Sequence, residues 1–351
     1  MISIKDVAAA CGVSISTVSK ALNDHKDVSQ SKKEYIRQKA KEMGYSPNSS
    51  ARTLKTNRSH NIGVLFVDGA QSGLTHDYFA SVLDSVKSTA ESRGYDLTFI
   101  ISDRGGSRRM TYLEHSRYRG VDGVVIACVN FVEPEVVELM QSSIPTVTID
   151  YTFNKTIAVL SNNMEGMSAL TQYAVDMGHR RIAYLYGEDS VVTSNRLSGF
   201  YITMEKNGIK PRDEYIMEVK YRNIETAEKA TRKLLDLKEP PTCILYPDDF
   251  AAFGGINVMR EKGLRIPEDI SIAGYDGIPI SRMMEPRLTT IIQDTRLIGK
   301  KAAEKLISLI EKPRTTIIDQ VVIDATLCPG ETIKTVSYTH LRAHETSQDL
   351  V

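Results

Sequence analysis

The stretch IKDVAAACGVSISTVSKALN, residues 4–23, decides the reading of this chain. It holds two short amphipathic segments, 4–11 and 15–23, on either side of Gly12. Ser3 precedes the first with Asp6 three residues on, and Ser14 precedes the second, so each segment begins with a hydroxyl able to accept an orphan amide of a first helical turn. Two helices crossing at a tight turn need a small residue on the first, a residue tolerant of positive φ between them, and an apolar anchor on the second. Ala8, Gly12 and Val18 stand at that spacing. Val7, Val13 and Leu22 supply further core contacts and leave Ile15, Ser16, Thr17, Ser19 and Lys20 facing outward. A third helix is expected over about 32–43, with Ile36, Ala40 and Met43 on one face. Ser31-Lys-Lys-Glu34 offers it a capping box, with Ser29 as a competing cap.

Around this helix-turn-helix the charge is uneven. Residues 1–60 carry eleven Lys and Arg against five Asp and Glu, a net of +6, and the remainder carries −6, although the 351-residue chain is neutral overall. A basic N-terminal module suits phosphate contacts. Gly44-Tyr-Ser-Pro47 ends the third helix, and the polar run 48–61 has only Ala51 and Leu54 as apolar anchors, so it is expected to be a linker that orders on binding.

From Asn61 onward, β-branched runs alternate with amphipathic segments, the pattern of βαβ units on a parallel sheet. Strands are expected at 62–67, 97–101, 123–127, 146–149, 181–186, 242–246 and 270–275. Helices are expected at 78–93, 166–177, 197–207, 224–235, 251–262 and 296–311. The length allows two such doubly wound lobes, with ligands at strand carboxyl ends. Residues 336–351 break the pattern and resemble a translated sequencing-adapter tail; they are read as a non-native tail. The domains expected are therefore 1–47, a hinge at 48–60, an effector-binding and dimerisation part at 61–335, and that tail.

The residues 4–23 resemble the signature of the LacI/GalR family of transcriptional regulators. The resemblance continues through Val28-Ser29, Ala40 to Asn48, Ala51-Arg-Thr-Leu-Lys55, Gly178-His-Arg-Arg-Ile-Ala183, Arg196 to Phe200, Pro267 to Ser271, Gly274-Tyr-Asp276 and Pro286 to Ile291. It implies a small all-α DNA-binding domain and an α/β two-lobed domain of the periplasmic-binding-protein-like, type I kind. It implies that Ile15, Ser16 and Lys20 reach base edges while Thr17, Ser19 and Asn23 hold phosphates. It also implies a hinge helix on DNA, with Leu54 as a minor-groove wedge flanked by Ala51, Arg52 and Lys55.

In the larger domain the resemblance nominates Arg196 and Asp276 as effector ligands, with Asp150 in the cleft and Asp249 near it. Tyr78 or Phe79 offers a stacking face or a core contact. Asp248-Asp249 stands where many members have Asn-Asp, and Asn163 where an aspartate is common. The segment 68–77 lacks the familiar Asn-Pro. These departures leave the effector's identity open, with a sugar or sugar derivative the expected class. The partners implied are pseudo-palindromic double-stranded operator DNA, a small-molecule effector and a second copy in a homodimer. Neither the sign of the response nor the operator follows from the residues.

No phosphate loop, Gly-x-Gly-x-x-Gly fingerprint or Gly-x-Ser-x-Gly elbow is present, so an enzyme is not expected and no cofactor is called for. His179 reads as a surface turn rather than a base. Cys11, Cys128, Cys243 and Cys328 fit neither a zinc site nor a disulfide framework, and no metal is expected. An apolar run of membrane-spanning length and a secretion signal are both missing from the pattern, which makes a cytoplasmic protein with no membrane partner the expectation.

Overall fold

Ser3 accepts the amide of Asp6, whose carboxylate returns to the Ser3 amide at 2.8 Å, and this reciprocal cap starts α1, Ile4–Cys11. The computed structural model describes residues 2–45, 58–69, 73–102 and 109–336. Gly12, at φ +63, ends α1 in the left-handed conformation that an L side chain disfavours. Ser14 then caps α2, Ile15–Leu22, and Ser29 precedes α3, Gln30–Glu42. The predicted capping box at Ser31 is not formed. Helix α3 begins two residues earlier, so Ser31 lies inside its first turn. Val7, Ala8, Val18, Ala21, Val28, Ile36 and Ala40 close into one buried cluster between the three helices. Lys33 snorkels out of this unit to Asp24, which Arg37 also pairs.

The chain divides at Asn61 into this unit and a second one, Ile62–Val351. The expected hinge residues Ala51, Arg52, Leu54 and Lys55, and the tail from 337 onward, lie outside the described residues. Val336 is the exception within the expected tail. Its amide donates to Met177 O at 2.7 Å, which ties it to the fold.

The second unit has two parallel sheets. The first runs β11-β5-β4-β3-β1-β2, built from β1 (Asn61–Phe66), β2 (Asp96–Ile100), β3 (Gly123–Ala127), β4 (Thr146–Ile149), β5 (Ile157–Ser161) and β11 (Gln320–Ile323). Strand β3 explains why such strands read as unbroken apolar runs. Val125 and Ala127 pack on one side against α4 (Asp77–Ser92) and α12 (Thr295–Glu311), and Val124 and Ile126 pack on the other against α5 (Tyr112–Arg119) and α6 (Pro134–Gln141). The second sheet runs β7-β6-β8-β9, from β6 (Ile182–Tyr186), β7 (Ile216–Glu218), β8 (Cys243–Leu245) and β9 (Ser271–Ala273). Around it lie α7 (Asn163–Asp176), α8 (Val191–Lys206), α9 (Ile224–Leu235), α10 (Asp249–Glu261) and α11 (Pro279–Met283). An antiparallel pair, β10 (Thr290–Gln293) and β12 (Ala325–Cys328), completes this lobe.

The chain passes between the lobes three times, after β5, after β10 and after β11. The crossings are tied side by side. Asn162 Nδ2 donates to Asp324 Oδ1 at 2.8 Å, the Asn162 amide to Ile323 O at 2.8 Å, and Ser161 Oγ to Gln293 Oε1.

Helices α4 and α12 approach closely at Gly299. A Cβ there would stand 2.3 Å from Val82 O and 2.7 Å from Ser85 Cβ. Gly299→Val is therefore expected to lower stability by ~3 kcal/mol, the upper end of the range for an overpacked contact, read as a lower midpoint in urea.

Candidate functional site

In each sheet the strand order reverses direction between two neighbours, β1 and β3 in the first lobe and β6 and β8 in the second, and crevices open at the carboxyl ends of such strands. The loops at these ends carry non-glycine residues at positive φ: Cys128 at +55, Asp150 at +58, Arg222 at +53 and Asp276 at +96. Such strain persists where surrounding contacts hold it, and it concentrates at binding sites.

Four of the expected effector residues meet here. Arg196, on α8, is 3% exposed and sits at the centre. Its Nε donates to Asn163 Oδ1 at 2.8 Å, its Nη1 to Pro247 O at 2.8 Å, and its Nη2 lies 3.6 Å from Asp276 Oδ1. The guanidinium also lies 3.6 Å from the centre of the Tyr275 ring. From the first lobe, Tyr78 donates its hydroxyl to Asp150 Oδ2 at 3.2 Å, and the Ser161 amide holds Asp150 Oδ1 at 2.8 Å. Burial raises the Asp150 carboxyl above its ordinary range, and burial together with the neighbouring Asp150 keeps Tyr78 a phenol. Gln293 bridges the halves, donating to Asp276 Oδ1 at 2.7 Å while accepting from Ser161. A hydroxyl-bearing ligand entering this cluster finds a fixed fork of donors beside carboxylate acceptors, which is the chemistry of polyol recognition.

Phe79 stands apart from the polar cluster. Its ring packs edge-on against Tyr78 at 4.8 Å and tilted against Phe66 at 5.5 Å, so it backs the site from the apolar side. Asp249 lies behind the cleft, its amide donating to Tyr275 O at 2.9 Å. Helix α10 begins at Asp249, with three residues between it and the end of β8, which makes Asp248 the cap and turns Asp249 inward, where it is 1% exposed. Its carboxyl oxygens accept from the Ile278 amide at 2.9 Å and from Thr290 Oγ1 at 2.6 Å, fastening the loop after β9 to β10.

Burial raises the Asp249 carboxyl to about 8. A folded-state pKa above the unfolded value stabilises fully below the unfolded value and is lost as pH rises through the folded one. Between about pH 4 and 8 the wild type should therefore lose stability relative to Asp249→Asn, a divergence readable in urea midpoints.

Asn163, Ser161, Gln293, Tyr221 and Arg222 join the cleft without having been nominated as ligands. Beside it, Asp68, His76 and Cys128 bring potential ligand atoms within 4.8 Å of one another. Burial holds the His76 imidazole below its ordinary pKa and pushes the Cys128 thiol up to about 12, so both are neutral at pH 7. His179 is not on a surface turn. It is fully buried, with Nδ1 at 2.9 Å from Thr242 Oγ1 and Nε2 at 3.2 Å from Lys334 O, and burial lowers it to about 4. All four cysteines are free thiols.

In the first unit, α2 presents Ile15, Ser16 and Lys20 to solvent, with Ile15 44% exposed despite its apolar side chain. Thr17 is half-buried and its hydroxyl lies 2.8 Å from Ser14 Oγ. Ser19 is half-buried too, and its carbonyl accepts from exposed Asn23 at 2.7 Å. Lys20 rests on Asp27, an exposed pair that contributes little to stability and opens readily.

Among the described residues, no helix is long and apolar enough to cross a membrane. Residues 3–48 match the model for bacterial regulatory proteins of the lacI family, and residues 171–333 match a periplasmic binding protein-like domain. The HTH-type transcriptional repressor PurR of Vibrio atlanticus is 33% identical over 318 residues, covering 89% of this chain and 92% of that protein. The lac repressor dimer bound to operator and the anti-inducer ONPF superposes with a TM-score of 0.79 at 26% identity, over 95% of this chain and 99% of that one. A transcriptional regulator CelR-cellobiose complex superposes with a TM-score of 0.67 at 25% identity, over 95% and 100%. With its capped helix-turn-helix and its two-lobed type I periplasmic-binding-like domain, the chain belongs to the lacI family of bacterial DNA-binding transcriptional regulators.

Proposed function

We propose that this regulator is a repressor that grips a pseudo-palindromic operator as a homodimer and is governed by a small sugar or sugar derivative held between its two lobes. The observation that carries the reading is the cluster of buried Arg196 and Tyr78 with half-buried Asp276 and Asp150, in which donors and acceptors from both lobes converge near strand carboxyl ends. A ligand touching both lobes favours one lobe arrangement, and the preference is passed to DNA affinity as a coupling free energy. The cellobiose complex and the operator-bound dimer among its structural relatives support both halves of the reading. Ile15, Ser16 and Lys20 are assigned to base edges, Thr17, Ser19 and Asn23 to phosphates, and the segment 48–60 to a hinge on DNA.

The test selects operator sequences from a random duplex pool with the full chain, then titrates the selected duplex with and without neutral and acidic sugars. A bound ligand is expected to change operator affinity by roughly 5- to 150-fold, the usual size of an allosteric coupling. Equal retardation of random and selected duplexes would overturn the reading.

A further inference from the structure

Arg222 has the most poorly matched guanidinium in the cleft. It lies between β7 and α9, and its amide donates to Asp248 Oδ2 at 2.8 Å, which helps hold the residue at φ +53. The guanidinium stacks over the Phe250 ring at 4.0 Å, and its side chain is 9% exposed. Both Nη atoms reach the same acceptor, Asp77 Oδ2, at 3.5 Å, and Nε has no hydrogen-bond partner among the described residues. Arg196 differs sharply, with Nε, Nη1 and Nη2 each directed at its own oxygen.

A buried guanidinium presents a planar fork of N–H groups, and leaving that fork unmatched out of water costs free energy. Asp77 matches it poorly, because one oxygen at the limit of hydrogen-bonding distance meets two donors and the Asp77 side chain is 39% exposed to solvent screening. Two oxygens of one anionic group would satisfy Nε and an Nη together.

We propose that Arg222 receives an anionic group of the effector, a carboxylate or a phosphate, so that the ligand is an acidic sugar derivative rather than a neutral sugar. This rests on the cleft being the effector site and adds a charge to it. Asp77 belongs to the first lobe and Arg222 to the second, so an anion that captures Arg222 replaces a contact between lobes with a contact to ligand. The aromatic ring of Phe250 fixes the guanidinium plane, which favours an acceptor that sets two oxygens of one group in that plane.

Calorimetric titration of the full chain at constant ionic strength tests this with matched pairs: galactose against galacturonate, glucose against glucuronate and glucose 6-phosphate, and inorganic phosphate alone. An acidic member is expected to bind at least about tenfold tighter than its neutral parent, and the preference to fall to about one in Arg222→Gln while Arg222→Lys keeps part of it. A carboxylate or a phosphate as the tighter partner identifies which anion the fork accepts. Equal binding of acid and parent, an acid preference that survives Arg222→Gln, or inorganic phosphate binding as tightly as the sugar phosphate overturns the proposal. If in those cases Arg196→Ala still abolishes binding, the cleft reading stands without the acidic group. Binding indifferent to both arginines removes the two together.

Discussion

Arg196→Ala should abolish the effector's influence on operator binding while leaving the ligand-free grip on DNA nearly unchanged. The guanidinium is the hub of the cleft, bonded to Asn163, Pro247 and Asp276 and stacked on Tyr275. Charged hydrogen bonds contribute ~1.5–3 kcal/mol each, so losing those made to a ligand weakens its binding by at least roughly tenfold to a hundredfold. The substitution also removes a buried partner from Asp276, and unpairing a buried ion pair costs about 3–5 kcal/mol. Gln293 still donates to Asp276 Oδ1, which should keep the loss at the lower end and the lobe folded. Arg196→Lys should restore charge without the fork, recovering stability more than ligand affinity. Thermal shift of each variant with and without ligand checks this, and a ligand that stabilises wild type and Arg196→Ala equally would falsify the assignment.

The second large effect is expected at Lys20. Its Nζ is free to leave Asp27 at little cost, and a good base contact is worth ~1–3 kcal/mol of discrimination. A two-fold dimer makes the contact in both half-sites, so Lys20→Ala should reduce specific affinity by roughly 30-fold to more than 1,000-fold. A base contact and a phosphate contact are separated by salt and sequence. Losing the former relaxes specificity at one position per half-site, whereas losing the latter weakens all duplexes alike and reduces the salt slope by about one per contact. Anisotropy titrations of selected and scrambled duplexes at several salt concentrations distinguish the two. A uniform loss would move Lys20 to the phosphate group.

How far the residues foretold this architecture depended on the type of signal. Helices α1 and α2 were legible to within a residue because caps, a turn glycine and apolar spacing all agreed. Strands β1, β3, β4, β6, β8 and β9 were visible as apolar runs, since sheets covered on both faces write that pattern into the sequence. Strands β5, β10, β11 and β12 were not expected; β11 and β12 are only partly buried, so they lack the fully covered faces that make the other strands read as apolar runs. Helices α5 and α6 were not expected, and polar positions interrupt the apolar face of α5, where His115 and Ser116 are buried beside Tyr112 and Leu113.

In the cleft, Arg196, Asp276, Asp150 and Tyr78 were nominated through the family resemblance, not through their own local patterns. Gln293 was hidden with the strand that bears it. Arg222 lies in a polar loop where nothing local distinguishes a buried guanidinium from an exposed one. The inward fastening role of Asp249 was not legible, because a strand-end aspartate and a helix-start aspartate look the same until the cap position is known.

The triple crossing between lobes also has a consequence for how the protein is made. Helix α12 and strand β11 belong to the first lobe yet come from residues 295–323, after nearly all of the second lobe. As the chain leaves the ribosome, the opening lobe must therefore wait with its Val82 and Val125 face uncovered until Ile298, Ala302 and Leu306 arrive. Polypeptides truncated before position 295 are thus expected to be sticky and short-lived, whatever the integrity of the helix-turn-helix that precedes them.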